Sequence, residues 1–451
     1  MEALQRHPLA ILVLMRRMFT WQQIPKMMEL KALLEAAVAQ HPEWPATERG
    51  NLLGECDLIQ SFLFYNDITQ MSRLHRSASR QMSRPAVTLR NSGSWTFGSP
   101  SVLMMYYRAP GELGKELAEM YECMPHYYKI TNGHGRGAEL LMDAEAAYLQ
   151  GAWEKAAVLL ERARANATGQ ENMTLCCDFL ALRLALCGKG KEGYDFAAKR
   201  AALLQKHDGV QVHLLESIAA YFYALQGRPE QAPELFREHK LAEVSFFGPC
   251  RPMMSLIEQQ VWLAQGEYVK VIAHSEGLLR RCEAMHYGLV GLQARIQLAA
   301  AQLRFGQRAE ARAALATALL DAVQDDFWVL FVEQYPALAP LLEGEDWAVC
   351  EPRLGPFVAR ILPAGRAFAA RLGLPAPAPA PELPLTDRDR ELARLVAGRC
   401  TNKEIAAALY LSEGTVKQYI NQLYAKLDMG GDPRTRRARL AEWYQKNAPR
   451  N

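Results

Sequence analysis

The sequence lacks several features that define common protein classes. No apolar run approaches the ~18 residues of a membrane-spanning helix, and Arg16 and Arg17 follow the apolar stretch Leu9–Met15, on the wrong side for a signal peptide. The nine cysteines form no C-x-x-C pair and have no histidine partner at zinc spacing. We therefore predict a soluble, cytoplasmic protein with no membrane contact, no metal and no cofactor.

Local signatures of catalytic sites are also missing. The sequence has no G-x-x-x-x-G-K-[ST] P-loop, no H-E-x-x-H helix, and no Cys-His or Ser-His-Asp signature. Gly133, Gly135 and Gly137 form G-x-G-x-G, which is not the dinucleotide-binding fingerprint, and no strand pattern precedes them. An enzyme is not predicted. Strand signals are nearly absent throughout, so the predicted fold class is all-α.

The long N-terminal part repeats one local pattern, in which an apolar helical stretch ends at a glycine. The glycines follow at intervals of 37, 39, 39 and 40 residues, with a further 40 before the first, and are Gly111, Gly151, Gly188, Gly227, Gly266 and Gly306. Such intervals are typical of helical hairpins whose first helix ends at a left-handed glycine. The array resembles a tetratricopeptide (TPR)-like α-solenoid over residues 1–374. Its concave face is predicted to bind a small effector or a protein partner, the alternative being a spacer or a dimerisation surface.

An irregular, aromatic-rich segment interrupts this pattern. Between Arg84 and Pro110, glycine and proline alternate with aromatic residues, and further aromatic residues follow near position 127. Such a segment favours a ligand pocket, although packing of the rings at a junction between repeats is the alternative interpretation. The candidate effector-pocket residues are Trp95, Phe97, Tyr127, Tyr128 and His134.

A proline-rich segment divides the chain. Residues 375–384 read Pro-Ala-Pro-Ala-Pro-Ala-Pro-Glu-Leu-Pro, which excludes both helix and sheet. Alternating proline favours polyproline II, so we predict a semi-rigid linker of roughly 30 Å at about 3.1 Å per residue. Residues 385–451 contain 13 Lys or Arg and 8 Asp or Glu, a net charge of +5, whereas the whole chain has only +3. The positive charge is concentrated in the small C-terminal part.

The C-terminal part carries the start signals of successive helices. Thr386 is a predicted N-cap with Asp389 at the third helical position, and Thr401 with Glu404 has the spacing of a capping box. Ser412 is the predicted N-cap of a third helix, over residues 413–427. A fourth helix is predicted over about residues 434–445.

The third of these helices has two faces. At 100° per residue, a buried stripe within about 60° is predicted for Val416, Ile420, Leu423 and Leu427. Lys417, Gln418 and Asn421 cluster on the polar face, as the side chains of a recognition helix do in the major groove of DNA. A solvated helix has a polar face as well, so this pattern alone leaves both interpretations open.

The segment closely resembles the LuxR-type helix-turn-helix over 43 residues. The resemblance rests on Leu385-Thr386, Arg388–Glu391, Thr401–Ala406, Leu409, Ser412, Thr415–Lys417 and Lys426-Leu427. It implies a small helical domain of the winged-helix-like superfamily, at residues 385–451, that binds double-stranded promoter DNA as a homodimer through its C-terminal helix. It also implies that Lys417, Gln418 and Asn421 face the bases. The residues implied to contact or position the DNA backbone are Thr401, Asn402, Thr415 and Lys426.

Two departures from the family pattern affect the end of the domain. Tyr419 replaces a common histidine, and the connection over residues 428–433 is about two residues longer than usual. In the last helix, the alternative to a dimer contact is that four arginines reach phosphates, namely Arg434, Arg436, Arg437 and Arg439.

Helical repeats followed by this domain resemble the C-terminal half of the large MalT-type LuxR regulators. In those, an N-terminal ATPase switches oligomerisation when an inducer binds the repeats. No such ATPase is present here. Three interpretations stay open: the chain is a natural repeat-only regulator, a fragment, or the product of a start codon chosen too late. The predicted function is a DNA-binding transcription regulator. The alternative is a TPR-like scaffold for protein partners whose helix-turn-helix does not bind DNA.

Overall fold

The computed structural model describes residues 7–89, 93–190, 193–206, 209–374, 386–427 and 433–447. Within these ranges the regular elements are all helices and no β-strand occurs, which confirms the all-α prediction. None of the helices described is long and apolar enough to cross a membrane. The predicted linker, residues 375–384, lies outside the described residues.

Helices follow one another along the described part of the chain. Those of the long N-terminal part are α1 (Pro8–Thr20), α2 (Ile24–Gln40), α3 (Ala46–Ser61), α4 (Ile68–Gln81), α5 (Val102–Tyr106), α6 (Leu113–Thr131), α7 (Ala138–Leu149), α8 (Trp153–Asn166), α9 (Glu171–Leu186), α10 (Phe196–Gln205), α11 (Gly209–Leu225), α12 (Glu234–Arg237), α13 (Arg251–Ala264), α14 (Tyr268–Met285), α15 (Gly288–Arg304), α16 (Arg308–Ala322), α17 (Val329–Glu333), α18 (Tyr335–Leu342) and α19 (Leu354–Arg371). Those of the C-terminal part are α20 (Asp387–Ala397), α21 (Asn402–Leu409), α22 (Glu413–Lys426) and α23 (Pro433–Asn447).

Three of the repeated glycines join two helices that pack against each other as a hairpin. Gly151 connects α7 to α8, Gly266 connects α13 to α14, and Gly306 connects α15 to α16. Their φ angles are +73°, +77° and +87°, so each takes the predicted left-handed conformation. At Gly151 a Cβ atom would lie 2.1 Å from the Trp328 ring, so the close approach also requires glycine.

The hairpin prediction is wrong at Gly227. This glycine is left-handed, with φ +68°, but the second helix is replaced by a 3-10 turn at Pro229–Gln231 and the single-turn helix α12. Pro229 and Pro233 lack the backbone N–H that a continuing helix would need, which accounts for the interruption.

Contacts across long sequence separations join repeats that are not neighbours. The Trp328 Nε1–H donates to the Gln150 carbonyl at 2.8 Å, and the Tyr107 hydroxyl donates to the Asp325 carboxylate at 2.6 Å. Through Glu333, helix α17 contacts side chains of α7, α9 and α11. An array whose units touch only their neighbours does not contain such contacts. The segment after the last hairpin therefore packs back onto earlier repeats.

The buried apolar side chains of the described residues form three clusters. One lies within residues 11–59, a large one spans residues 58–369, and the third lies within residues 392–440. The C-terminal helices therefore have an apolar core of their own. The domain boundaries at 374 and 385 stay a prediction, because the connection between the two parts is outside the described residues.

Candidate nucleic-acid interface

Side-chain caps fix the starts of the first two C-terminal helices. The Thr386 hydroxyl accepts from the Asp389 N–H at 3.1 Å, and the Asp389 carboxylate accepts from the Thr386 N–H at 2.9 Å. Thr401 and Glu404 form the same reciprocal pair, at 3.3 and 2.6 Å. Since the backbone N–H and hydroxyl of Thr401 stabilise the ionised carboxylate, the pKa of Glu404 lies below its ordinary value. The structure confirms both predicted helix starts.

A tight turn separates α21 from α22. Tyr410 ends α21 in the left-handed conformation, with φ +55°, and its side chain is 96% exposed. Ser412 caps α22 as predicted, because its hydroxyl accepts from the Thr415 N–H at 3.1 Å. These two helices and their turn form the helix-turn-helix.

One face of α22 is buried in the core of the C-terminal part. Val416, Ile420 and Leu423 are 0–4% exposed, and Leu427 just beyond the helix is partly buried. Tyr424 is buried beside them. Leu440 of α23 and several side chains of α20 and α21 complete this core. The predicted stripe is therefore the face that anchors α22.

The opposite face of α22 is exposed. Lys417, Gln418 and Asn421 are all exposed to solvent. Tyr419, between them in sequence, is half-buried, and the Arg388 guanidinium lies 5.3 Å from the centre of its ring. The three donor- and acceptor-bearing side chains therefore lie, as the sequence predicts, on one exposed face of a helix whose other face is buried.

The four predicted positioning residues have different surroundings. Thr401 and Thr415 lie at the helix starts, where their hydroxyls take part in the caps described above. Asn402 begins α21, and its side-chain carbonyl accepts from Arg437 at 3.1 Å. Lys426 ends α22, but its side chain is outside the described part of the structure.

The last helix is tied to the helix-turn-helix through arginine. Arg437 donates to the Asn402 side chain and to the Cys400 carbonyl, at the start of α21. The Arg436 guanidinium lies 5.4 Å from the centre of the Tyr424 ring. These two arginines therefore join α23 to α21 and α22, while the side chain of Arg434 is outside the described residues.

The second candidate site is the aromatic segment of the repeat part. Trp95, Phe97, Tyr127 and His134 line one cavity of about 50 Å³. Tyr128 is not among its lining residues. Its hydroxyl donates to the Glu139 carboxylate and accepts from the Gly137 N–H, and so holds the glycine-rich turn between α6 and α7.

The same cavity is lined by residues that the sequence did not indicate. They come from helices α1 and α4 and from the turn after α3, and include Arg16, Phe19, Phe62, Met71 and His75. They precede Trp95 by 20 to 79 positions, and no local pattern in the sequence links them to it. Only the packing of α4 against α6, and of α1 and α4 against α3, brings them together.

Comparison with known proteins supplies a family for the C-terminal part. Residues 383–435 match the family described as bacterial regulatory proteins, luxR family. The transcriptional regulatory protein YvfU of Bacillus subtilis is 46% identical over 61 residues, 14% of this chain and 30% of that protein. The DNA-binding transcriptional activator DevR/DosR of Mycobacterium tuberculosis is 38% identical over 86 residues, 19% of this chain and 39% of that protein.

The similarity to these relatives covers less than two fifths of each chain compared. For a third relative, the transcriptional regulatory protein DesR of Bacillus subtilis, it covers 46 residues at 46% identity, 10% of this chain and 23% of that protein. The chain thus spans between about a quarter and two fifths of the length of these relatives. No solved structure matches the chain. The matched family, the capped helices and the exposed face of α22 together identify the C-terminal part of this chain as a LuxR-family helix-turn-helix domain.

Proposed function

We propose that the whole chain is a DNA-binding transcription regulator of the LuxR class. The observation that carries the proposal is the exposure of Lys417, Gln418 and Asn421 on one face of α22, whose other face is fixed in the core. Lysine donates to guanine O6 and N7, and glutamine and asparagine pair bidentately with adenine. In this proposal the three side chains read bases in the major groove.

The backbone of the DNA is proposed to be held by residues near the ends of α21 and α22. Thr401, Asn402, Thr415 and Lys426 are proposed to contact phosphates or to fix the helices that do. Thr401 and Asn402 lie at the N-terminus of α21, where backbone N–H groups and the helix dipole favour an anion.

Dimerisation is part of the proposal. A single domain with a net charge of +5 binds DNA weakly, and two linked domains gain occupancy through their effective concentration. We assign the dimer contact to α23, because this helix is anchored to the domain through Leu440 and Arg437 and so presents a fixed surface. The repeat part is proposed to sense a small effector or a protein partner and thereby to change the geometry between two domains.

A salt-dependent DNA titration tests the proposal. Fluorescence anisotropy of the full chain would be measured with promoter fragments from its own genome and with random duplex, at about 50 and 200 mM salt. We expect tighter binding to at least one promoter fragment and an affinity for both duplexes that falls steeply with salt, since each phosphate neutralised releases counterions. A salt-independent signal without a preferred site would contradict the proposal and favour a protein scaffold.

A further inference from the structure

The cavity in the repeat part has an unusual distribution of charge. Arg16 of α1 lines it together with aromatic and aliphatic side chains, and no Asp or Glu is among its lining residues in the described part of the chain. The two histidines at the cavity, His75 and His134, have both ring nitrogens within hydrogen-bond distance of protein atoms. Burial lowers their pKa values to about 3 and about 4, so both are neutral at pH 7. Among the lining residues that the structure describes, Arg16 therefore carries the one formal charge.

Arg16 has no carboxylate partner among the described residues. Its guanidinium lies 4.6 Å from the centre of the Phe62 ring and forms no ion pair within the described part of the chain. Burial lowers the pKa of Arg16 below its ordinary value, and interactions with Tyr127 and, more weakly, Glu55 only partly offset this effect. Glu55 itself accepts from the Thr88 N–H at 2.6 Å and lies 3.6 Å from Arg84.

Buried arginines in proteins are normally paired with a carboxylate. Another buried arginine of this chain has such a partner. Arg183, 3% exposed, donates to Glu333 through two nitrogens at 2.7 and 3.1 Å. A partly buried guanidinium without such a partner favours an anion from outside the chain, because the pair forms where water competes weakly. The Ser94 hydroxyl also lines the cavity and accepts from Gln211 at 3.1 Å, which leaves its proton to be donated.

We propose that this cavity binds a small aliphatic monocarboxylate, whose carboxylate pairs with Arg16 and whose alkyl end contacts Phe19, Phe62 and Met71. A single positive charge in a neutral lining matches a monoanion rather than a phosphate or a dicarboxylate. The volume of about 50 Å³ is a third of the ~150 Å³ of a cavity that admits benzene, which favours a short chain over a ring. This site assigns a ligand class to the sensing role proposed above. The binding of a carboxylate does not depend on the proposed function; the regulatory effect of that binding rests on it.

Calorimetric titration of the full chain in the absence of DNA tests this assignment. Propionate and propionamide have the same shape but differ in charge, and we expect the wild-type chain to bind propionate at least ~10-fold more tightly. Arg16→Gln should weaken propionate binding about 10- to 100-fold, since it removes a charge-assisted hydrogen-bond pair. Arg17→Gln is the matched control, because Arg17 is the next residue of α1 and is exposed; it should leave the affinity unchanged.

Two results would overturn the assignment. One is equal binding, or no binding, of propionate and propionamide by the wild-type chain, and this comparison holds even if Arg16→Gln fails to fold. The other is wild-type affinity for propionate in an Arg16→Gln chain whose circular dichroism is native. Neither result bears on DNA binding, which is measured without the carboxylate, so failure of this site and failure of the proposed function are distinguishable.

Discussion

Glu333 and Arg183, 150 residues apart in sequence, form a buried ion pair that joins α17 to α9. The carboxylate also accepts from the Tyr148 hydroxyl at 2.7 Å and from the Tyr221 hydroxyl at 3.0 Å. Four donors from three helices thus satisfy one carboxylate, which offsets the cost of removing it from water. The pair holds the segment after the last hairpin against earlier repeats.

Glu333→Gln should destabilise the protein strongly. The amide leaves the Arg183 charge buried without a counterion, and breaking such a pair typically costs about 3–5 kcal/mol. Chemical denaturation followed by circular dichroism measures this loss. The control is Glu276→Gln in the exposed pair of Arg280 and Glu276, at 2.7 Å, where the loss should stay below about 1 kcal/mol. Equal losses in the two variants would show that the buried pair does not hold the fold together.

Lys417→Ala and Asn421→Ala should each relax the sequence preference for DNA and leave the fold intact. Both side chains are exposed and contribute nothing to the core, while a good contact to a base edge is worth about 1–3 kcal/mol of discrimination. Binding of each variant to duplexes with single base-pair changes measures the preference. Lys403→Ala, which removes an exposed lysine from α21, should change affinity but not preference. An unchanged preference in Lys417→Ala and Asn421→Ala would remove these residues from the base-reading role.

Thr401→Ala should loosen the start of α21. The variant lacks the hydroxyl that accepts from the Glu404 N–H, and loss of an N-cap costs roughly 1 kcal/mol. Hydrogen exchange of the amides at residues 402–409 should therefore become about 5-fold faster, while exchange in α7 and α9 stays the same. Thr401→Ser retains the hydroxyl and should exchange like the wild type. Equal exchange in the alanine and serine variants would mean that the cap contributes no stability.

Acid should destabilise the repeat part through His75. The native imidazole has a pKa of about 3, well below the ~6.5 of the unfolded chain, because it is buried. The unfolded state therefore binds more protons than the native state as the pH falls. The stabilisation that comes from a neutral His75 is complete above pH ~6.5 and is lost below that pH. Between pH ~7.5 and ~5.5 the loss from this histidine is about 1.4 kcal/mol.

Comparison of two histidine variants checks that value. Denaturant unfolding at both pH values should show a smaller pH dependence in His75→Gln, by about 1.4 kcal/mol, than in the wild type. The exposed His274→Gln is the control and should keep the wild-type difference. A His75→Gln chain with the full wild-type pH dependence would contradict the assignment.

Local interactions explain why the C-terminal part was predictable. Thr386, Thr401 and Ser412 cap their helices through bonds to residues three positions away, and such spacing is visible in the sequence. Helical periodicity alone separates the buried Val416 from the exposed Asn421, which lies about 140° from it around α22. The repeat pattern, in contrast, predicted a hairpin at Gly227, where Pro229 and Pro233 lack the backbone donors of a continuous helix.

The sequence by itself determined the all-α class, the left-handed glycines of the hairpins and the exposed face of α22, because these follow from contacts within one helical turn or one tight connection. Only the tertiary structure decided that Glu333 meets Arg183, that Trp328 closes against Gly151, and that Arg16 shares a cavity with Trp95. Those pairs are 79 to 177 positions apart, where no sequence period links one residue to the other. They form because each helix buries its apolar face against whichever neighbour the whole chain provides.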